Sequence, residues 1–264
     1  MTTYSKQETL LQVNNLCLAY NHRPILQNIN FTIHNIVRPN MHQGQVVSLL
    51  GRSGVGKTQL FRLLAGLQTP TAGSIIINNN KQVQAGDMGV VFQHYYLFEW
   101  KTIYQSLLMA AKKNPSLAGN EKEAIHKWAS EFDITEVLAQ YPQQLSGGQR
   151  QRASIIQQLL KGSPFLLFDE PFSGLDVCVL DKVTEMLLQV SVSDELKTLI
   201  IVSHDIETSV AISDTIFILS KPPGEQAATI TKEIDLIERD LAWHKNVHHQ
   251  QGFIDTLEEI KASL

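Results

Sequence analysis

The chain has 264 residues, 22 basic against 26 acidic side chains for a formal charge of −4, and 43% hydrophobic and 18% charged residues. That balance excludes a disordered or fibrous chain and describes a globular protein able to bury a full core without disulfides or metals. It also gives no overall cationic field to draw the chain to nucleic acid or anionic lipid, so partners must be argued from local features. Only Cys17 and Cys178 are present, outside any paired spacing, so neither a disulfide framework nor a zinc site is indicated and a reducing compartment is expected. No apolar run approaches the roughly 20 residues that span a bilayer. Residues 1–8 lack a secretion signal, so the expected location is cytoplasmic.

In chain order, short β-rich runs alternate with amphipathic stretches and no internal repeat occurs, the pattern of an α/β fold. Strand-like segments near the N-terminus flank a polar stretch, residues 34–43 with Pro39, which is expected to be an extended hairpin loop. Residues 46–50 form a continuous apolar run, as a central parallel strand buried on both faces requires, and a helical pattern follows over 58–67. Further buried strands are expected at 90–92, 165–168, 198–202 and 215–219. Between 93 and 152 the strand signal disappears. Ile103, Leu107, Leu108 and Ala111 share one helical face there, and Asn120 with Glu123 reads as an N-cap with its N3 glutamate. The tail after residue 221 carries an expected strand over 227–230 and a polar stretch with His244, His248 and His249, read as solvated. A final helix begins at about Gly252.

Residues Gly51, Arg52, Ser53, Gly54, Val55, Gly56, Lys57 and Thr58 spell G-x-x-x-x-G-K-T between a strand and a helix, the context a phosphate-binding loop requires. Glycines let successive N–H groups converge on phosphate oxygens at the positive helix end; Lys57 bridges the β- and γ-phosphates and the Thr58 hydroxyl ligates Mg²⁺. The apolar run 165–168 ends in Asp169 and Glu170, suited respectively to holding Mg²⁺ and to orienting or deprotonating the attacking water. On its own an Asp-Glu pair is more often a solvated strand end, and the upstream loop reverses that judgement.

Leu145, Ser146, Gly147, Gly148 and Gln149 stand between these two motifs. Ser146 caps a helix running to about Leu160, and two glycines expose N–H groups at its positive end, a second anion site. These five residues resemble the signature of the ABC-transporter ATPases. The resemblance covers roughly residues 10–221 and implies a P-loop NTPase α/β fold: a mostly parallel sheet core with an N-terminal antiparallel β portion and an inserted helical subdomain. In that scheme the ATP-binding core takes 1–92 and 153–221, the helical subdomain 93–152 and the C-terminal tail 222–264.

The resemblance also implies ATP and Mg²⁺ as bound species and two composite sites in a head-to-tail dimer, with Ser146, Gly147 and Gly148 acting in trans and Gln149 also among the nucleotide-binding residues. Gln59 joins the loop in holding nucleotide. Gln93 resembles the glutamine that contacts Mg²⁺ and the attacking water, His204 the histidine at the γ-phosphate, and Tyr20 the aromatic on which adenine stacks. Ser173, Gly174, Leu175 and Asp176 resemble the dimer-contact loop. Gln93 followed by Leu97, Phe98, Glu99 and Trp100, with the stretches 219–224 and 234–241, is similar to importers of the nitrate, sulfonate and taurine type, although Glu99 stands where proline is more usual. The implied role is an ATPase subunit on the cytoplasmic face of the inner membrane, paired with a second copy or a paralogous subunit. Membrane permease subunits are its direct partners and a solute-binding protein an indirect one, with no nucleic acid. A non-transport ATPase of translation or DNA repair is the alternative; tandem cassettes, a coiled-coil insertion or basic surfaces would mark it. A nucleotide-regulated binder without turnover would be marked by loss of Glu170 or His204, and both are present.

Overall fold

The computed structural model describes residues 4–38, 44–78, 80–173, 177–192, 197–242 and 247–264. His244, residues 174–176 of the expected dimer-contact loop, and residues 39–43 of the polar stretch lie outside the described residues. In chain order the elements are β1 (Ser5–Tyr20), β2 (Arg23–Val37), β3 (Gln45–Leu50), α1 (Lys57–Leu64), β4 (Ala72–Ile77), β5 (Lys81–Gln82), β6 (Gly89–Val91), α2 (Ile103–Ala111), α3 (Glu121–Glu131) and α4 (Gly147–Lys161). There follow β7 (Phe165–Asp169), α5 (Val177–Val192), β8 (Thr198–Ser203), α6 (Ile206–Ile212), β9 (Thr215–Ser220), β10 (Thr229–Asp235) and α7 (Gln251–Ser263). The chain divides into two units, one of residues 1–87 with 167–264, the other of residues 88–166.

The first unit holds two sheets. One is antiparallel, in the order β2-β1-β4-β5. The other runs β10-β9-β3-β8-β7, with β3 parallel to both β8 and β9 and β10 antiparallel to β9. All six residues of β3 are buried, which is why the segment shows no polar alternation; Ser48 is accommodated by a 2.7 Å hydrogen bond to the Ser213 hydroxyl. Asp214 lies on the same floor, accepting from the Val46 N–H and ion-paired with Arg38. Helix α1 buries Leu60, Phe61, Leu63 and Leu64 and stops earlier than its pattern promised. Gly66 takes φ +67 and a Cβ there would fall 2.4 Å from the Gln84 carbonyl carbon, while the Leu67 N–H closes back on Arg62 O.

The expected hairpin loop is corrected over residues 34–37. Strand β2 continues to Val37 and pairs with β1 as far as Ser5. Ile33 and Ile36 are buried, and the Asn35 amide donates to Glu8 while the Gln45 amide donates to His34 O. The Asn35 side chain is satisfied within the long hairpin, so its polarity did not signal a loop.

The C-terminal part of the unit buries Ile234, Leu236, Leu241, Val247, Phe253 and Ile260 against Leu50, Val210, Ile216 and Ile218. The expected strand at 227–230 is shifted and longer: Ala228 forms an isolated bridge with Leu26 and the ladder proper spans β10.

The second unit is built mainly of helices. Thr102 and Gln105 form a reciprocal capping box at α2, which buries Ile103, Ser106, Leu107 and Ala111; Leu108 is only half-buried, off the face it was expected to share. Asn120 is the N-cap of α3, but its side chain makes no capping bond. At ψ 13 it is not in the extended conformation a side-chain cap needs, because its N–H is turned back onto Leu117 O. Helix α4 starts on a second complete box, Ser146 with Gln149, and ends at Gly162 with φ +79.

Candidate nucleotide site

In the first unit, β3 delivers the chain into the loop 51–56 and α1 begins at Lys57. Gly54 and Gly56 take φ of +78 and +114, conformations that favour glycine, and the loop folds around them. No side chain caps α1 and its first turn holds no acidic residue, so the positive end of the helix is left to an anion. Arg52, Ser53, Gly54 and Thr58 are exposed, and Val55, Gly56 and Gln59 half-buried. Lys57 is buried, its ammonium donating to Gly51 O at 2.9 Å and Arg52 O at 3.3 Å and lying 3.3 Å from Glu170 Oε1.

Glu170 follows the buried strand β7 with φ +51. Its N–H donates to Val202 O at 2.8 Å, fixing it against β8. Oε2 accepts from the His204 N–H at 3.2 Å and the Ser203 hydroxyl at 3.3 Å, and lies 2.8 Å from His204 Nδ1. An ionised carboxylate only accepts, so Nδ1 is then the protonated ring nitrogen. Asp169, just before it, has an Oδ1 that is buried without a protein partner. Burial, and then the Glu170 charge, push its carboxyl above the ordinary carboxylate range, while Lys57 and Arg62 pull the other way. A desolvated carboxylate oxygen with no donor fits a small hard cation.

Of the three expected residues, Glu170 thus contacts both Lys57 and His204. Tyr20 stands at the end of β1, exposed, its hydroxyl donating to Gln59 Oε1 at 2.8 Å and accepting from the Gln68 amide at 2.6 Å. Ser203, which bonds Glu170, was not singled out from the sequence. The signal that would have found it is its place at a strand end, next to His204.

In the second unit, Gln93 follows β6 and is exposed. Ser146 and Gly147 are exposed and Gly148 and Gln149 half-buried. The Ser146 hydroxyl accepts from the Gln149 N–H at 3.3 Å while the Gln149 side chain accepts from the Ser146 N–H at 3.0 Å. A Cβ added at Gly147 or Gly148 would meet nothing within 4 Å. Tyr96 and Trp100 are 68% and 72% exposed, whereas Tyr95, Leu97 and Phe98 are half-buried. Among the described residues no helix is long and apolar enough to cross a membrane.

A profile of the ABC transporter family matches residues 34–173. The chain is 37% identical over 195 residues to an uncharacterised ABC transporter ATP-binding protein, YtlC, of Bacillus subtilis, covering 73% of this chain and 75% of that one. It is 36% identical over 204 residues to the nitrate import ATP-binding protein NrtD of a Synechocystis species, covering 75% and 73%. With the sulfate/thiosulfate import ATP-binding protein CysA of Pseudomonas syringae it shares 32% over 242 residues, covering 89% and 72%. Among solved structures it resembles a part of the ABC transporter complex cbiONQ from Clostridium perfringens, at TM-score 0.74 and 23% identity over 96% of this chain and all of that one. It also resembles a dimeric ATP-binding cassette in a post-hydrolysis state with ADP and Pi, at TM-score 0.68 and 24% identity, over 86% and 99%.

Proposed function

The chain belongs to the ABC transporter family and is one of its ATPases, and from that premise we propose that it hydrolyses ATP as a peripheral subunit that energises a membrane importer. The observation that carries the proposal is the contact set in which Lys57 of the phosphate loop meets Glu170, and Glu170 meets His204, beside the unpartnered Asp169 oxygen.

The chemistry follows from what each group can do. The uncapped start of α1 and the loop N–H groups bind phosphate oxygens, and Lys57 exchanges its loop carbonyls and Glu170 for the β- and γ-phosphates. Asp169 and Thr58, both in the first unit, are the residues that would hold Mg²⁺, which would neutralise charge developing on the phosphates. Glu170 takes the proton of the attacking water, and His204 steadies the γ-phosphate end of the site. Tyr20, tied through Gln59 to α1, is the platform for adenine.

Gly147 and Gly148 face open space, so packing within the chain does not require them to be glycine. A phosphate brought by a partner subunit does, and that supports a dimer, of two copies or with a paralogous subunit, closing over two ATP. Exposed Tyr96 and Trp100 are suited to anchor a permease segment. The names of NrtD and CysA support an importer of small oxyanions of the nitrate or sulfate type; the proposal adds a separate solute-binding protein and a seat at the cytoplasmic face of the membrane.

Co-purification from native membranes in mild detergent tests the assignment. Permease subunits are expected to accompany the wild-type chain and to be lost with Trp100→Glu and Tyr96→Asp while ATPase activity persists. Unchanged recovery of permease with both variants refutes docking through this segment.

A further inference from the structure

The two oxygens of Glu170 are in unlike surroundings. Oε2 meets the Ser203 hydroxyl, the His204 N–H and His204 Nδ1, whereas Oε1 faces the Lys57 ammonium. Ser203 is fully buried at the last position of β8, where it pairs with Leu50, the residue before the phosphate loop. Its hydroxyl accepts from the Asp205 N–H at 3.0 Å, which leaves its single proton to be donated to Glu170. Asp205 in turn caps α6 through the Thr208 N–H at 3.1 Å. The hydroxyl is therefore held from behind by a helix start and aimed at the carboxylate.

We propose that Ser203 is a positioning residue for ATP hydrolysis, fixing Glu170 through Oε2 so that Oε1 is the oxygen that receives the proton. This rests on the reading of Glu170 as general base. When ATP draws Lys57 onto its phosphates, Oε1 loses its cation while Oε2 keeps its donors. The water proton then passes to Oε1 as the water oxygen bonds to the γ-phosphorus, and the bond to the bridging oxygen breaks with its electron pair leaving on ADP. Without the Ser203 hydroxyl, the carboxylate of a residue already at φ +51 keeps only the His204 donors, and the side chain of His204 is itself 51% exposed.

The test is single-turnover hydrolysis by the full chain, with ATP affinity measured separately in EDTA. Ser203→Ala is expected to lower the rate roughly tenfold, the order expected when a reacting group is misplaced by a fraction of an ångström. ATP affinity should stay within about twofold, and in a Glu170→Gln background the same change should cost nothing further. The isosteric pair Ser203→Thr and Ser203→Val provides a second comparison where the alanine variant does not fold: threonine is to retain the rate and valine to lose it. Equal rates for threonine and valine, or an equal loss with and without the Glu170 carboxylate, overturn the proposal. Full turnover by Glu170→Gln alone instead overturns the general-base reading.

Discussion

At Glu170 a glutamate occupies the left-handed region of backbone space, a conformation that costs a non-glycine residue about 1–3 kcal/mol and persists only where surroundings impose it. Here they do: its N–H is bonded to Val202 O and its carbonyl accepts from the Ser173 N–H at 3.2 Å. The turn throws the carboxylate back toward Lys57 and His204 rather than along the strand. Glu170→Gln keeps shape and loses charge, so ATP binding is expected to survive while turnover falls by roughly 10²–10⁴-fold, the worth of a positioned base. ATP-dependent dimers should accumulate, since closure no longer leads to hydrolysis; size-exclusion chromatography with and without ATP reads this directly. The Asp-Glu pair was legible in sequence because the apolar run of β7 ends on it. The backbone turn was not, because it depends on the register of Glu170 against β8, which no local pattern encodes; for Ser203 the sequence signal is its place at a strand end, next to His204.

Among the elements, α4 combines a strong start with two weak helix formers. Ser146 and Gln149 satisfy each other's backbone, yet Gly147 and Gly148 each cost roughly 0.5–1 kcal/mol relative to alanine in a helix. With open space at both positions, Gly148→Ala is expected to leave the thermal stability of the isolated chain unchanged or raise it by up to about 1 kcal/mol. ATPase activity should fall in the same variant. A stability gain with full activity means the glycine serves no partner.

The last helix, α7, is tied down by Glu259, which pairs with Arg239 and Lys232. Arg239 first and Lys232 second hold that carboxyl down, from 4.5 to about 2. A depressed folded-state value contributes stability present above the ordinary value and lost as pH falls through 4.5 toward about 2. Glu259→Gln should accordingly melt lower than wild type at neutral pH, with the gap shrinking across that window and in high salt. A gap independent of pH points to packing instead.

Elements with one strong period were legible: β3, β7, β8 and β9 as unbroken apolar runs, and α4 from its cap. The long hairpin of β1 and β2 was not, because Asn35 looks solvated until its partner Glu8 is brought across the sheet.

At the scale of the whole molecule, the proposed function gives one chain two anion sites, the start of α1 in the first unit and the start of α4 in the second, and a single γ-phosphate does not need both from one subunit. A head-to-tail pair uses each once per nucleotide. Lys57→Ala removes the ammonium that draws in the phosphates, and Ser146→Arg puts a long cation where the second site must close, so each homodimer is expected to be inactive for its own reason. Mixing the two, with subunit exchange verified by differently labelled chains, creates a dimer having one site with both defects and one with neither. If the sites are composite, ATPase activity returns on mixing and peaks near equal proportions. If loop and signature serve the same nucleotide within one chain, every site in every mixture carries a defect, and no proportion of exchanged subunits restores turnover.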